Sequence, residues 1–121
     1  MALNLESNSS VDRALYKSDV TAVASVVSGN VDPVLVNVAI GCHFLDSGGD
    51  LVLPTSGTVT ILVKTENTQQ WEAPPNNEID ASAPTTVIVA GNITAVQATP
   101  STVAGGTVQD YQLVVTANRG V

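Results

Sequence analysis

Residues 34–44, Val-Leu-Val-Asn-Val-Ala-Ile-Gly-Cys-His-Phe, decide the fold of this chain. Every second position of this stretch is apolar, whereas Asn37, Gly41 and His43 share the other parity. Successive side chains of a strand point to opposite faces of a sheet, so this period of two predicts a strand with one face in a core.

Composition extends the same conclusion to the whole chain. The 121 residues include 20 Val and 13 Thr, and β-branched side chains suit a pleated sheet better than a helix. Further strands are predicted at residues 20–28, 51–53, 58–65, 78–80, 85–90, 92–99 and 110–117. Turns or loops are expected at Gly29-Asn30, at Asp32-Pro33, and over residues 46–50, 69–77 and 100–106. The sequence therefore predicts an all-β fold, a single antiparallel β-sandwich of jelly-roll or immunoglobulin-like topology.

The first 18 residues have a different character, because Asn and Ser dominate and apolar residues are scattered. We predict that residues 1–18 form an extended N-terminal arm and that residues 19–121 form the sandwich domain. Within the arm, residues 10–17 are compatible with a short helical turn. Such a segment orders on contact with another subunit, and its expected contact residues are Leu3, Leu5, Leu15 and Tyr16.

Charge and cysteine content restrict the partners. Four basic residues face eleven acidic ones, and the net charge of −7 opposes the phosphate contacts that nucleic-acid binding requires. No stretch is apolar for long enough to span a membrane, and the start lacks the pattern of a secretion signal, so we expect no membrane partner. Cys42 is the single cysteine, which fits synthesis in a reducing cytoplasm.

The sequence offers little for catalysis. His43 is the only histidine, so any catalytic triad or imidazole metal site must use it, yet its nearest acidic neighbour in sequence is Asp46. Cys42 has core parity and is expected to act as a small hydrophobe. We therefore predict no catalytic residue, no cofactor and no enzyme activity, and an enzyme is the least favoured functional class.

Two groups of carboxylates are candidates for chemistry. The loop from Asp46 to Asp50 is predicted to be a hairpin turn, because position twelve from Asp46 is Gly57 where a calcium loop of the EF-hand type needs Glu. Glu72, Glu78 and Asp80 are predicted to be solvated loop charges instead of a glycosidase pair. No metal site is predicted.

Trp71 lies in the irregular stretch 69–77, with Asn76 and Asn77 nearby in sequence. An indole face beside amides suits stacking and hydrogen bonding to a sugar, so these three residues are candidate interaction residues. The alternative is that Trp71 plugs one end of the sandwich, since the chain has few aromatic residues to fill its core.

The last third of the chain, Ala-Ser-Ala-Pro-Thr-Thr (81–86), Ile-Thr-Ala-Val-Gln-Ala-Thr-Pro-Ser-Thr (93–102) and Tyr-Gln-Leu-Val-Val-Thr (111–116), resembles small β-rich virion proteins of tailed bacteriophages. The resemblance implies a capsid decoration (cement) protein or a tail accessory protein. It also implies a homotrimer, made in the host cytoplasm, that binds the major capsid protein or another virion subunit on the outer surface of the capsid. The leading hypothesis is thus a cement subunit, and the second is a carbohydrate- or receptor-binding knob of a tail or fibre.

Overall fold

The computed structural model describes residues 3–6, 13–31, 35–90 and 92–119. Every regular secondary-structure element within these ranges is a strand, and all strand pairings are antiparallel. They are β1 (Leu3–Leu5), β2 (Arg13–Ser18), β3 (Thr21–Ala22), β4 (Val27–Asn30), β5 (Leu35–Leu45), β6 (Ser56–Thr65), β7 (Glu78–Asp80), β8 (Val87–Val89), β9 (Ile93–Ala104) and β10 (Asp110–Arg119). The predicted all-β antiparallel sandwich is confirmed. The described ranges hold no helix that is long and apolar enough to cross a bilayer.

The strands form two sheets. The larger sheet has the order β1-β2-β10-β5-β8, with the short β3 also paired to β10, and the smaller sheet has the order β4-β9-β6-β7. Strands that are neighbours in a sheet are mostly distant in sequence, because the chain repeatedly crosses from one sheet to the other. One hydrophobic core lies between the sheets.

The alternation that predicted the fold is seen in the core. In β5, Val38, Ile40 and Phe44 are buried, and Cys42 of the same parity packs against them. The facing sheet contributes core residues with the same period of two, through Val59, Ile61 and Val63 of β6 and Val96 and Ala98 of β9. Beside β5 in its own sheet, β10 contributes Tyr111, Leu113 and Val115. Val34 lies outside the described residues, and the side chain of Val36 is not described.

Tyr111 is the largest fully buried side chain and links the two sheets. Its hydroxyl donates to the carbonyl oxygen of Ser25 at 2.6 Å and lies 3.5 Å from that of Ala98 in β9. Burial raises the pKa of this hydroxyl, which therefore stays a donor at neutral pH. A strand of the larger sheet is thereby fastened to the smaller sheet and to the turn before β4.

The predicted N-terminal arm lies differently from expectation. Its described part does not extend from the sandwich but adds β1 and β2 to the larger sheet, where β2 pairs with β10. Residues 13–18 are a strand and not part of a helical turn, because Ala14, Tyr16 and Ser18 alternate into the protein interior. The edge of β10 supplies the backbone partners that a polar segment lacks on its own.

Gly29 and Asn30 were expected to form a turn but lie within β4. A Cβ atom at Gly29 would come within 2.4 Å of the backbone nitrogen of Leu3, so glycine at this position allows β1 to approach β4 closely. A glycine inside a strand pattern marks either a turn or such a close approach, and here it marks the approach.

The loop expected over residues 100–106 is also shorter, because β9 continues through Pro100 to Ala104. The amide groups of Ile61 and Val63 donate away from β9, to Asn77 and Glu72. Val59 has the same parity, so Val59 and its partner Pro100 form a pair without hydrogen bonds to each other. Strand β4 pairs only with residues 95–98, which leaves the Pro100 nitrogen on an open edge where no donor is needed.

Candidate interaction surfaces

Outward-facing side chains in the middle of the larger sheet, on β2, β10, β5 and β8, form a continuous surface, which we call the outer patch. It consists of Leu15, Lys17, Ala39, Gly41, His43, Ile88, Gln112, Val114 and Thr116. The register places these residues in three rows across the strands, namely Leu15–Thr116–Ala39–Ile88, Lys17–Val114–Gly41 and Gln112–His43. Residues directly opposite each other on neighbouring strands are in side-chain contact range, so each row is one surface.

The outer patch differs in charge from the chain as a whole. None of these nine residues is acidic, and Lys17 and His43 are the ionisable groups among them. Carboxylates border the patch on the β1 side, where the backbone of Glu6 bonds to Leu15 and Asp19 accepts a hydrogen bond from Asn4, the residue opposite Lys17. The nearest acidic residue on β10 is Asp110, one outward-facing position beyond Gln112. Ile88 is 62% exposed at the edge of the patch. A surface without carboxylates on a chain of net charge −7 is suited to contact with another protein.

A groove runs along the patch above Gly41. Its volume is about 320 Å³, and Pro84, Thr85 and Thr86 line one side while Val114 and Thr116 line the other. A Cβ atom at Gly41 would meet nothing within 4 Å, so the open space above this residue is not filled by a neighbour. The groove therefore exists because the side chains in the middle of the sheet are small.

A second groove, of about 530 Å³, adjoins the patch at Ile88. It lies between β8 and the segment 72–75, where Ala73 and Pro75 are exposed and Pro74 is buried. Ile88 lines this groove and also ends one row of the outer patch, so apolar surface continues around the edge of the larger sheet.

His43 and Cys42 are poorly placed for catalysis. Partial burial of the ring, and secondly the positive charge of Lys17, lower the pKa of His43 from its usual 6.5. Burial raises the pKa of the Cys42 thiol to about 12, so the nucleophilic thiolate is not formed at neutral pH. Within the described ranges, no three His, Cys, Asp or Glu side chains come together as a metal site.

The predicted hairpin turn at residues 46–50 is confirmed. Asp46 accepts hydrogen bonds at Oδ1 from the backbone nitrogens of Gly48 (2.9 Å) and Asp50 (3.0 Å), and Gly49 has the positive φ of 84° that the turn requires. The expected strand at 51–53 is reduced to a single bridge between Leu51 and Leu45. The Asp46 carboxylate thus holds the turn together.

The other carboxylates considered for chemistry, Glu72, Glu78 and Asp80, are exposed, and Glu72 and Asp80 are hydrogen-bonded within their own loops. Glu72 accepts hydrogen bonds from the hydroxyls of Thr65 and Thr68, at 3.1 and 2.7 Å. Asp80 accepts from the hydroxyl and backbone nitrogen of Ser82, and these bonds lower its pKa. Glu72 and Asp80 therefore each organise a turn or loop of their own.

Trp71 does not plug the core, because it is 37% exposed on the outer face of the smaller sheet. The backbone of Glu72 pairs with Val63 through hydrogen bonds of 2.7 and 2.9 Å, which places Trp71 opposite Lys64. The Lys64 ammonium lies 4.8 Å from the centre of the indole ring. The core is filled by aliphatic side chains together with Tyr111, Phe44 and Tyr16, and the indole lies at the surface.

The register extends this contact into a row of four side chains, Asn30–Ala95–Lys64–Trp71. Around it lies a polar groove of about 430 Å³, which we call the Trp71 groove. Its lining residues are Ser28, Gly29, Asn30, Lys64, Trp71 and Ala95.

Asn76 and Asn77, predicted beside Trp71, do not line the Trp71 groove. Asn77 is bound to the edge of β6. Its Nδ2 donates to the carbonyl oxygen of Ile61 at 3.0 Å, and its own carbonyl oxygen accepts from the backbone nitrogen of Ile61 at 2.7 Å. Asn76 is exposed, with a φ of 53°. The polar neighbours of Trp71 come instead from β4 and β6, and sequence alone could not find them without the register between residues 63 and 72.

The four contact residues predicted in the N-terminal segment are divided by the fold. Leu3 and Tyr16 are buried in the core, Leu15 lies in the outer patch, and Leu5 is 51% exposed next to β2. Of the four, only Leu5 and Leu15 are thus placed where another molecule could reach them.

Comparisons with known proteins show the family of this chain but not its role. None of the curated proteins matches the sequence. Among solved structures, the chain is similar to a chain of the "Cyanophage Pam1 capsid asymmetric unit", with 14% identity, a TM-score of 0.36, and 97% of this chain and 86% of that chain covered. So distant a likeness carries no argument about function. Residues 11–120 match a family described as a domain of unknown function, DUF7265, and the chain belongs to this family.

Proposed function

We propose that this protein is a virion structural subunit, and more narrowly a capsid decoration (cement) protein that binds a phage head through the outer patch. The observation that carries the proposal is that none of the nine residues in the middle of this face is acidic, in a chain with eleven acidic residues. Resemblance of residues 81–116 to small phage virion proteins gives the class of partner. The homotrimer, the position on the outer capsid surface and synthesis in the host cytoplasm belong to the same proposal.

The order of the strands supports a jelly-roll assignment. With β1 and the two-residue β3 set aside, the eight remaining strands are arranged as first-eighth-third-sixth in the larger sheet and second-seventh-fourth-fifth in the smaller sheet. Two Greek keys rolled together give this order. Jelly rolls occur in viral capsid and lectin domains, so the assignment is compatible with a virion role, although a fold alone does not determine a function.

The composition of the outer patch favours adhesion. Small side chains such as Ala39, Gly41 and Thr116 let another backbone approach closely, while Leu15 and Val114 offer apolar area. Burial of apolar area stabilises a complex by roughly 25 cal/mol per Å², and a stable interface buries about 800 Å² on each partner.

The proposal assigns no catalytic residue, metal or cofactor. It is supported by the raised pKa of Cys42 and by the position of His43 beside Lys17 instead of a carboxylate. A surface that binds by adhesion needs a contour that another protein can fit and few charges to desolvate. The outer patch has a groove above Gly41 and two ionisable side chains among its nine residues.

The test compares two variants that place the same charge on opposite faces. Val114→Glu puts a carboxylate in the centre of the outer patch, and Leu62→Glu does so at a half-buried, outward-facing position of the smaller sheet. Heads assembled without this subunit are mixed with each purified protein and sedimented. We expect Leu62→Glu to bind heads like the unmodified protein and Val114→Glu to lose binding by about a hundredfold or more while keeping its thermal unfolding transition. Equal occupancy of heads by both variants would show that the outer patch is not the docking surface.

A further inference from the structure

We infer that the Trp71 groove binds a sugar residue that carries a carboxylate. This inference concerns the opposite face of the sandwich from the outer patch and does not depend on the proposed docking to a capsid. It rests on the side chains that the strand register brings together around Trp71.

The groove is built by pairing that fixes its backbone. Asn30, Ala95 and Lys64 are directly opposed on β4, β9 and β6, and the bridge between Val63 and Glu72 adds Trp71 to the same row. Neighbouring side chains in such a row are about 5 Å apart, so a ligand that spans the row touches several of them. The site is therefore set by rigid strands and one pinned loop position.

The floor of the groove is made of small residues. Ala95 points to the outer face, yet it is only 5% exposed between its larger neighbours. Gly29, whose missing side chain lets Leu3 approach from the other side, contributes backbone alone. A volume of about 430 Å³ remains above them, which is in the range of small-ligand sites, about 300–1,000 Å³.

The walls match the two kinds of surface that a sugar presents. The indole of Trp71 offers a flat apolar face for ring C–H groups. Asn30 and Ser28 offer an amide and a hydroxyl, which both donate and accept hydrogen bonds as sugar hydroxyls do. Neither Asn30 nor Ser28 is buried, so their polar groups can exchange water for a ligand.

Lys64 determines the charge of the ligand. The recorded contact of its ammonium is the indole ring, and in the described part of the chain no carboxylate forms an ion pair with it. The nearby Glu72 carboxylate is bound to Thr65 and Thr68. One unpaired cation matches one carboxylate, whereas a polyanion would be repelled by the net charge of −7.

Because Trp71 is the only tryptophan, its fluorescence reports on this groove directly. The protein is titrated with galacturonate, with galactose, and with acetate at the same ionic strength. We expect a saturable change with galacturonate at a concentration about tenfold lower than any change with galactose, and none with acetate. Equal responses to galacturonate and galactose, an equal response to acetate, or no saturable response would overturn the inference.

Three variants separate the contributions. Lys64→Gln is expected to remove the preference for galacturonate over galactose. Asn76→Ala, on the loop that carries Trp71 but outside the groove, should leave this preference unchanged. Trp71→Ala is expected to abolish binding of galacturonate in isothermal titration calorimetry while keeping the thermal unfolding transition and the binding to heads. Unchanged galacturonate binding by Lys64→Gln or Trp71→Ala would exclude the groove. Loss of head binding by Val114→Glu is independent of these results.

Discussion

The two sheets share one core, but their outer faces differ in chemistry. The outer patch of the larger sheet combines small and apolar side chains with Lys17 and His43, and it has no carboxylate. The smaller sheet exposes hydroxyls, amides and the Trp71 groove. Apart from Ser18, the described inward-facing positions of both sheets are apolar because the core requires it, so the two inner faces are chemically alike. Outward-facing positions are free of that requirement, and the difference between the two faces is where function can reside.

The largest expected effect tests whether the N-terminal strands belong to the larger sheet. Tyr16→Ala empties a buried position of β2 and should lower the free energy of unfolding by about 3–5 kcal/mol, as other large-to-small core substitutions do. Leu5→Ala is the matched control, because Leu5 lies directly opposite Tyr16 but is exposed, and its effect should be about 0.5 kcal/mol or less. Chemical denaturation measures both values. Similar small effects for the two variants would mean that residues 1–18 are a separate arm after all.

A smaller effect is expected when the link between the sheets is removed. Tyr111→Phe keeps the ring in the core but deletes the hydroxyl that donates to Ser25. The carbonyl of Ser25 loses its partner, and the free energy of unfolding should fall by about 1–3 kcal/mol. Denaturant titration gives the change, and amide hydrogen exchange should show faster opening of the turn at residues 22–25. A variant as stable as the unmodified protein would indicate that water replaces the hydroxyl at no cost.

The smallest effect concerns the pH response of the outer patch. Two causes lower the pKa of His43 in the folded chain below the usual 6.5, first the partial burial of its ring and second the positive charge of Lys17. The unfolded chain therefore binds a proton more readily, so the free energy of unfolding should fall as the pH drops from above 6.5 to the lower folded pKa. His43→Gln removes this part of the pH dependence, and Lys17→Gln should reduce it only partly, because burial is the larger cause. Chemical denaturation of the three proteins at several pH values in this range gives the free energy of unfolding. The same dependence of this free energy on pH in all three proteins would contradict the expectation.

Most of the fold that could be predicted from the sequence was predicted from the alternation of apolar and polar residues. Residues 38–44 and 58–65 have the expected faces, because a period of two follows from strand geometry alone. The sequence predicts breaks at Gly29 and Pro100, because local propensity does not reveal that another backbone or an open edge lies beside them. Strand β2 was missed because its apolar positions, Ala14 and Tyr16, are few and its sheet partner is about 100 residues away.

The interaction surfaces were predicted less well for the same reason. Trp71 was identified, but its neighbours Asn30 and Lys64 come from strands that only the register brings together. The outer patch was not predicted, because it depends on the order β2-β10-β5-β8, and strand order is not contained in the periodicity. Side-chain faces are thus a local property of the sequence, whereas surfaces are a property of topology.

The proline in β9 has a consequence for how the protein behaves at high concentration. Beyond the end of β4, residues 99–104 present a bare strand border that could recruit a strand from another molecule and seed fibrils. Pro100 removes one donor from that border, and the Gly105-Gly106 turn ends it soon afterwards. Crowded copies of this protein are in this way discouraged from polymerising through the rim of the smaller sheet.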